Sequence, residues 1–347
     1  MSPDPVRFRP AQPSDLAGIR DLIHATPLPG RVRLCFEPQA ISEHQGLSLV
    51  AARDSDPGHF LGLAERAVHR VWFGGNPASI GYLGQLRKRP GATLSIKRLA
   101  EGFRLLDAHR GRDQLPFDYT AILEENTASL RLLTRRLPGL PVYTLCGEMV
   151  TLTFSTRQPA PRRVIRISGL TPELRAFVER NLKTRPLATR IPKDATFPTW
   201  SAWEDGEPVG AVALWDRRAE RPLRIHGYAP WLAGTRRILN PFRSLARFPR
   251  LPPPGRTLDL AFLAFLVSKH DDPALVVDLV RAASRGARAR GIEWVSLGLP
   301  SSHVALPSLR RALKPESLRS HLFWVHGPDV PSPGELGSSP HPEIAIL

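Results

Sequence analysis

Cysteine is nearly absent from this chain: among 347 residues only Cys35 and Cys146 occur. Two cysteines without metal-like spacing exclude a disulfide framework and a thiolate metal site, and they fit a reducing, cytoplasmic setting. Long apolar runs are missing too. Leu260 to Val267 is the most apolar stretch of note, far too short to cross a bilayer but suited to a strand buried on both faces. Met1 to Arg7 has no apolar signal core, so export is not expected. His59, His69, His109 and His270 have no partner at metal-ligand spacing, and no metal is expected. No Gly-x-Ser-x-Gly elbow occurs, which argues against a serine hydrolase. Acidic residues are the last shortage, 32 against 48 lysines and arginines, for a net charge of +16.

That charge has two explanations. One is a genome-wide bias toward arginine codons; the other is a polyanionic partner, nucleic acid or the phosphates of a nucleotide. The basic residues are scattered from Arg7 to Arg319, and aromatics do not alternate with them as a single-strand platform requires. Nucleic acid is therefore not the expected partner, and a nucleic-acid-binding protein is kept as an alternative. The apolar fraction of 42% with 23% charged residues describes an ordinary globular chain, long enough for two domains.

The most informative stretch runs from Ser79 to Leu133. Ser79 to Leu86 reads as a strand that enters a basic turn, Arg87-Lys88-Arg89-Pro90-Gly91-Ala92-Thr93. A helix follows, with Ile96, Leu99, Ala100, Phe103 and Leu106 on one apolar stripe. A second strand, Phe117 to Leu123, leads through Glu124 and Glu125 into a second helix opening on Asn126. A cationic glycine-containing turn between a strand end and a helix N-terminus offers free N–H groups and a positive dipole end to a phosphorylated ligand.

At these residues the chain resembles the GNAT superfamily of acyl-CoA-dependent N-acyltransferases. The resemblance implies an α/β fold with a mixed sheet, and acetyl-CoA or another acyl-CoA as co-substrate to an amine acceptor. Its pyrophosphate loop, Gln/Arg-x-x-Gly-x-Gly/Ala, finds its nearest register at Lys88-Arg89-Pro90-Gly91-Ala92-Thr93, with Thr93 where a small residue is expected. It assigns Gln85, Leu86, Lys88, Arg89, Gly91, Ala92, Thr93 and Asn126 to the co-substrate. The superfamily's tyrosine after the asparagine helix is replaced by Leu133, so Tyr119 or Tyr143 would take its place, with Tyr119 favoured. Glu124, Glu125, Asp118 and Glu148 lie in the region where a general base is needed, and Glu124 is chosen with Tyr119 as the catalytic pair. Each has a plainer reading: Glu124 and Glu125 stabilise a first helical turn, Asn126 caps it, and Tyr119 is a half-buried aromatic.

The element order recurs. Val164 to Ile167 and the helix from Thr171 to Leu182 repeat the opening at Val6 and Pro13 to Ala25. Thr257 to Val267, a helix from Pro273, and strands at Ile292 to Leu299 and Leu318 to Val325 repeat the rest, with Gly291 ending the second copy's helix as Gly111 ends the first. Two tandem GNAT-like domains are expected, 1–155 and 163–326, joined by a Pro-containing linker, with a disordered tail at 327–347. In the second copy Asp271 and Asp272 replace the basic loop, and an aspartate before Pro273 caps the helix end a pyrophosphate would need. One acyl-CoA site, in the first domain, is the expectation. A non-catalytic CoA-binding or scaffold protein is the competing one. The stretch from Gly227 to Pro254 reads as a basic helical insertion packed on its own domain.

Overall fold

Alternating apolar residues set the strands of the first half and a 3.6-residue stripe its helices. In order they are β1 (Val6–Pro10), α1 (Leu16–Ala25) behind a 3-10 turn, β2 (Val32–Phe36), β3 (Gly46–Arg53), β4 (Gly62–Phe73), β5 (Asn76–Lys88), α2 (Ile96–Ala108), β6 (Gln114–Leu123), α3 (Thr127–Leu133) and β7 (Val142–Ser155). The second half follows the same plan: β8 (Arg166–Ser168), α4 (Pro172–Leu182), β9 (Thr199–Glu204), β10 (Glu207–Trp215), β11 (Leu223–Tyr228), α5 (Pro230–Leu239), β12 (Leu260–Ser268), α6 (Pro273–Ala289), β13 (Trp294–Pro300), α7 (Leu306–Leu313) and β14 (Glu316–His326). The structure is a computed structural model and describes residues 5–28, 30–41, 46–240, 251–334 and 339–347.

Local chemistry punctuates these elements. Gly74 and Gly75, both left-handed, make the two-residue turn between β4 and β5. Asn126 caps α3 by accepting from the Ser129 N–H at 3.2 Å, and Thr171 caps α4 by accepting from Leu174. Two boundaries differ from expectation. Helix α2 ends at Ala108, ahead of Gly111, because His109 Nδ1 bonds the Leu105 carbonyl and closes the last turn. Glu124 and Glu125 lie in the turn before α3 rather than in its first helical turn.

Twelve strands form one mixed sheet in the order β1-β3-β4-β5-β6-β14-β7-β13-β12-β10-β9-β8. The order is symmetric about its centre, and the two halves exchange their last strands. β14 of the second half pairs with β6 of the first, while β7 of the first pairs with β13 of the second. β7 and β14 then pair with each other from Val142 to Thr153. A separate two-stranded ribbon joins β2 to β11, carrying the turn before β11 onto the first half.

Helices cover both faces. On one face α1 lays Ile19, Leu22 and Ile23 against Val50, Ala52 and Leu63, and α4 does the same with Leu174, Val178 and Leu182 in the second half. On the other, α6 buries Leu275, Val276, Leu279, Val280 and Ala283 against the second half's strands. Residues 156–163 are not a free linker, since Asp278 of α6 accepts the Arg162 and Arg163 N–H groups.

The expected disordered tail needs correction. His341, Glu343, Ile344 and Ala345 are buried, and Ile344 packs onto Gly298, where a Cβ would strike it at 2.3 Å. Proline, glycine and serine dominate the composition of the stretch before it, but these last side chains find an apolar place on the sheet. Of the basic stretch between Gly227 and Pro254, α5 and Leu251 pack onto Leu223 and Tyr228, and 241–250 lie outside the described residues.

Candidate active site

The site begins with a backbone irregularity. In the β4–β5 ladder Leu63 faces Arg87 and Glu65 faces Gly84, so Gln85 and Leu86 together oppose Ala64. Gln85 takes a left-handed φ of 51°, a conformation that costs a non-glycine residue roughly 1–2 kcal/mol. Parallel pairing of β5 with β6 ends at Tyr82 and Tyr119, and beyond that pair the strands part. The second half repeats the device. Ala211 faces Val267 and Ala213 faces Ala264, leaving Phe265 and Leu266 opposite Val212, with Phe265 at φ 54°. There the pairing of β12 with β13 ends at Leu263 and Leu297.

A bulge turns one N–H out of its ladder. In the second half that donor is already answered: the Phe265 N–H donates to Glu343 Oε1 at 2.8 Å. Burial pushes the Glu343 carboxyl up to about 7, against the pull of that hydrogen bond and of Arg185. Glu343 and Ile344 therefore fill the second opening, held also by His341, whose backbone N–H donates to the Pro186 carbonyl at 2.7 Å.

In the first half the turn after β5 is exposed, and Gly91 has a left-handed φ of 79° with open space in front of its α-carbon. Its cations are already used by the protein. Lys88 Nζ donates to the Ala92 carbonyl at 2.6 Å; Arg89 holds Asp21 at 2.6 Å and the Phe60 carbonyl at 2.7 Å. Arg87 donates to Gln85 Oε1 and to Thr26. These bonds shape the turn, and Lys88, Gly91 and Thr93 remain open to solvent. An exposed glycine turn leading into α2 fits a pyrophosphate. The equivalent turn in the second half does not: Asp272 accepts from Ala274 and binds Arg163, while Asp271 binds Arg185.

On the sheet face beside the bulge, Tyr82, Tyr119, His69 and Glu65 come together. Tyr119 is fully buried, its hydroxyl 2.7 Å from His69 Nδ1, and burial holds its phenol well above its ordinary pKa. His69 is pushed down to about 3 by burial first and then by the Arg221 and Arg217 guanidinia, so its ring is neutral. Tyr82 stacks on His69 and is pushed up to about 12 by burial. Glu65 faces Gly84, next to the bulge; burial raises its pKa, and Arg221 opposes that.

The residues expected from the sequence divide accordingly. Gln85, Leu86, Lys88, Arg89, Gly91, Ala92 and Thr93 lie together along the end of β5 and its turn, and Tyr119 marks the apex of the opening. Asn126 caps α3. Glu124 is not brought to Tyr119: it lies five residues on along β6, roughly 16 Å away at about 3.3 Å per residue. It sits in a groove with Arg310 and Leu318, its N–H bonded to the Arg319 carbonyl. Asp118 is claimed by Arg66 and Arg110, each with a contact of 2.9 Å. Glu148 lies 3.6 Å from His321, and Tyr143 is buried between Phe103 and Phe323. Glu65 was not singled out from the sequence. Its signal was there, since strand alternation places Glu65, His69 and Val71 on one face.

No protein-family model and no curated protein sequence matches the chain. Solved structures do. A GCN5-related N-acetyltransferase from Sphaerobacter thermophilus superposes with a TM-score of 0.57 at 15% identity, over 95% of this chain and 99% of that one. A tandem GNAT protein from the clavulanic acid biosynthesis pathway gives 0.53 at 13% identity, over 95% and 100%. Saccharomyces cerevisiae N-myristoyltransferase with bound myristoyl-CoA gives 0.56 at 9% identity, over 96% and 88%. The chain has the GNAT fold, in tandem.

Proposed function

We propose that the first half binds one acyl-CoA, acetyl-CoA in the simplest case, and transfers the acyl group directly to an amine. The observation that carries this reading is the duplicated bulge. Its second copy already presents a backbone N–H to an oxygen, the Glu343 carboxylate, and the first copy turns the same backbone position, at Gln85, toward a strand opening. An N–H fixed in that way serves as an oxyanion donor.

The bound co-substrate supplies a thioester that is already activated. Lys88 to Thr93 hold its pyrophosphate, and Gln85 and Leu86 run beside its pantetheine. Glu65 takes the proton from the attacking amine: a carboxylate raised by burial is a better base near neutral pH than an ordinary one. A thiol leaves readily, with an ordinary pKa of about 8.5, so no strong acid is needed. Tyr119, whose phenol is held above its usual range, contributes a hydrogen bond at the apex together with His69.

A second reading, a CoA-binding module without turnover, is favoured by Leu133, which stands where the superfamily carries its tyrosine. Calorimetry with acetyl-CoA, followed by thiol release over a panel of amines, separates the two. One site per chain and acceptor-dependent thiol release are expected. Binding without release would select the module, and two sites per chain would defeat the assignment to the first half.

A further inference from the structure

Two arginines of the second half reach over the first half's candidate site. Arg217 and Arg221 stand in the turn between β10 and β11, which the β2–β11 ribbon docks on the first half. Arg221 stacks on Phe36, its guanidinium 4.7 Å from the ring centre. What these guanidinia bind is the chain itself: Arg217 Nη1 donates to the Ala345 carbonyl at 2.7 Å, and Arg221 Nη1 donates to the Leu347 backbone oxygen at 2.9 Å. The Leu347 side chain packs against the apolar cluster of Val71, Ile80, Phe117, Tyr119, Leu187 and Trp324. A peptide fragment with an aliphatic side chain thus packs on the cluster that contains Tyr119, its oxygens held by two cations.

The partners of Arg217 are weaker than the site can support. Arg217 also holds Glu220, but that carboxylate is 62% exposed and strongly solvated. The carboxylate that acts on Arg221 is Glu65, whose pKa burial raises. The same two guanidinia, after burial, help to keep His69 uncharged. The Ala345 carbonyl on Arg217 is a neutral acceptor, and a carboxylate in its place makes a charge-assisted bond roughly twice as strong.

We propose that Arg217 and Arg221 form the acceptor subsite of the first half, and that it takes an amine bearing a carboxylate and an aliphatic side chain, an amino acid of leucine type. Ala345 to Leu347 occupy that subsite in the structure, and the acceptor displaces them. The proposal rests on the acyltransferase reading for the word acceptor, but not for the binding itself.

The test uses the full chain and three ligands that share one side chain: L-leucine, L-leucinamide and 3-methylbutylamine. Calorimetry without acetyl-CoA should show leucine binding about tenfold or more tightly than the other two, and Arg221→Gln should abolish that advantage. Arg217→Gln serves if Arg221→Gln unfolds, and Arg131→Gln, on exposed α3, is the silent control. Leu347→Gly, which removes the occupant's anchor, should tighten leucine binding. The proposal falls if leucine does not bind, if the three ligands bind alike, or if both arginine variants keep the preference. Thiol release with acetyl-CoA is read separately. Arginine-dependent leucine binding with no release for any amine overturns the acyltransferase reading and leaves the subsite standing. Equal release for leucine and 3-methylbutylamine does the reverse.

Discussion

At Gln85 and at Phe265 the chain makes the same left-handed bulge, beside the same kind of strand opening, and surrounds it with opposite chemistry. The residue across from the strand position before the bulge is Glu65 in the first half and Ala213 in the second. The turn that follows is basic, exposed and built on Gly91 in one; in the other it is closed by the Asp272 cap. The opening itself is bordered by Tyr82 and Tyr119 in one and filled by Glu343 and Ile344 in the other. Backbone geometry has thus been kept where side chains have not. A strained bulge can be retained because its N–H is satisfied from within the chain, and the second half shows an oxygen meeting that need.

Three variants sharpen this contrast. The largest effect is expected for Glu65→Gln, which makes the first half resemble the second at the base position. Loss of a general base lowers kcat by roughly a hundredfold to ten-thousandfold, with acetyl-CoA affinity unchanged in calorimetry. An unaltered kcat would move the base elsewhere. Next is Gly91→Glu, which places a carboxylate in the first turn as Asp271 and Asp272 do in the second. Two like charges about 5 Å apart at an effective dielectric near 20 repel by about 3 kcal/mol, so acetyl-CoA should bind roughly a hundredfold more weakly. Circular dichroism should stay constant, because the added side chain meets open space and the left-handed φ costs only about 1–2 kcal/mol. Unchanged affinity would remove this turn from the site.

The smallest effect concerns the filled opening. The folded protein holds the Glu343 proton up to about pH 7, whereas the ordinary value is 4.5. Between those two values the folded state binds more protons than the unfolded chain, so stability falls as pH rises through that window. Glu343→Gln keeps an oxygen for the Phe265 N–H and cannot ionise. It should match the parent below pH 4.5 and exceed it at pH 8 by on the order of 3 kcal/mol, as read from urea midpoints at the two pH values. A constant difference across the range would mean that Glu343 does not titrate with folding.

Much of this could be read in the sequence, and the failures have physical causes. Asn126, Thr171 and Asp272 announced their helix starts because capping is local chemistry. The repeat was legible because each half alternates strand and helix in the same order. The bulges were not, since Gln85 and Phe265 are not glycines and a left-handed φ leaves no mark in their identity. Glu65 looked like one more charge in a mixed strand, and only the register beside Gly84 gives it a place. The tail misled because its proline and serine content outweighs Glu343, Ile344 and Leu347, whose value lies in a distant surface that fits them. Which strand pairs with β6 was equally hidden, because pairing partners are chosen in three dimensions.

The exchange of β7 and β14 also dictates when the first half can be completed during synthesis. Its sheet is unfinished at β6 until residues Glu316–His326 have left the ribosome, about 170 residues after β7 has been made. At roughly 5–20 residues per second that wait lasts on the order of ten to thirty seconds. Throughout it, β6 and β7 offer bare edges to any other chain nearby. A nascent chain of this kind has to be sheltered or slow to aggregate, and a stop codon between the two halves would yield a first half with an unfinished sheet rather than a working domain.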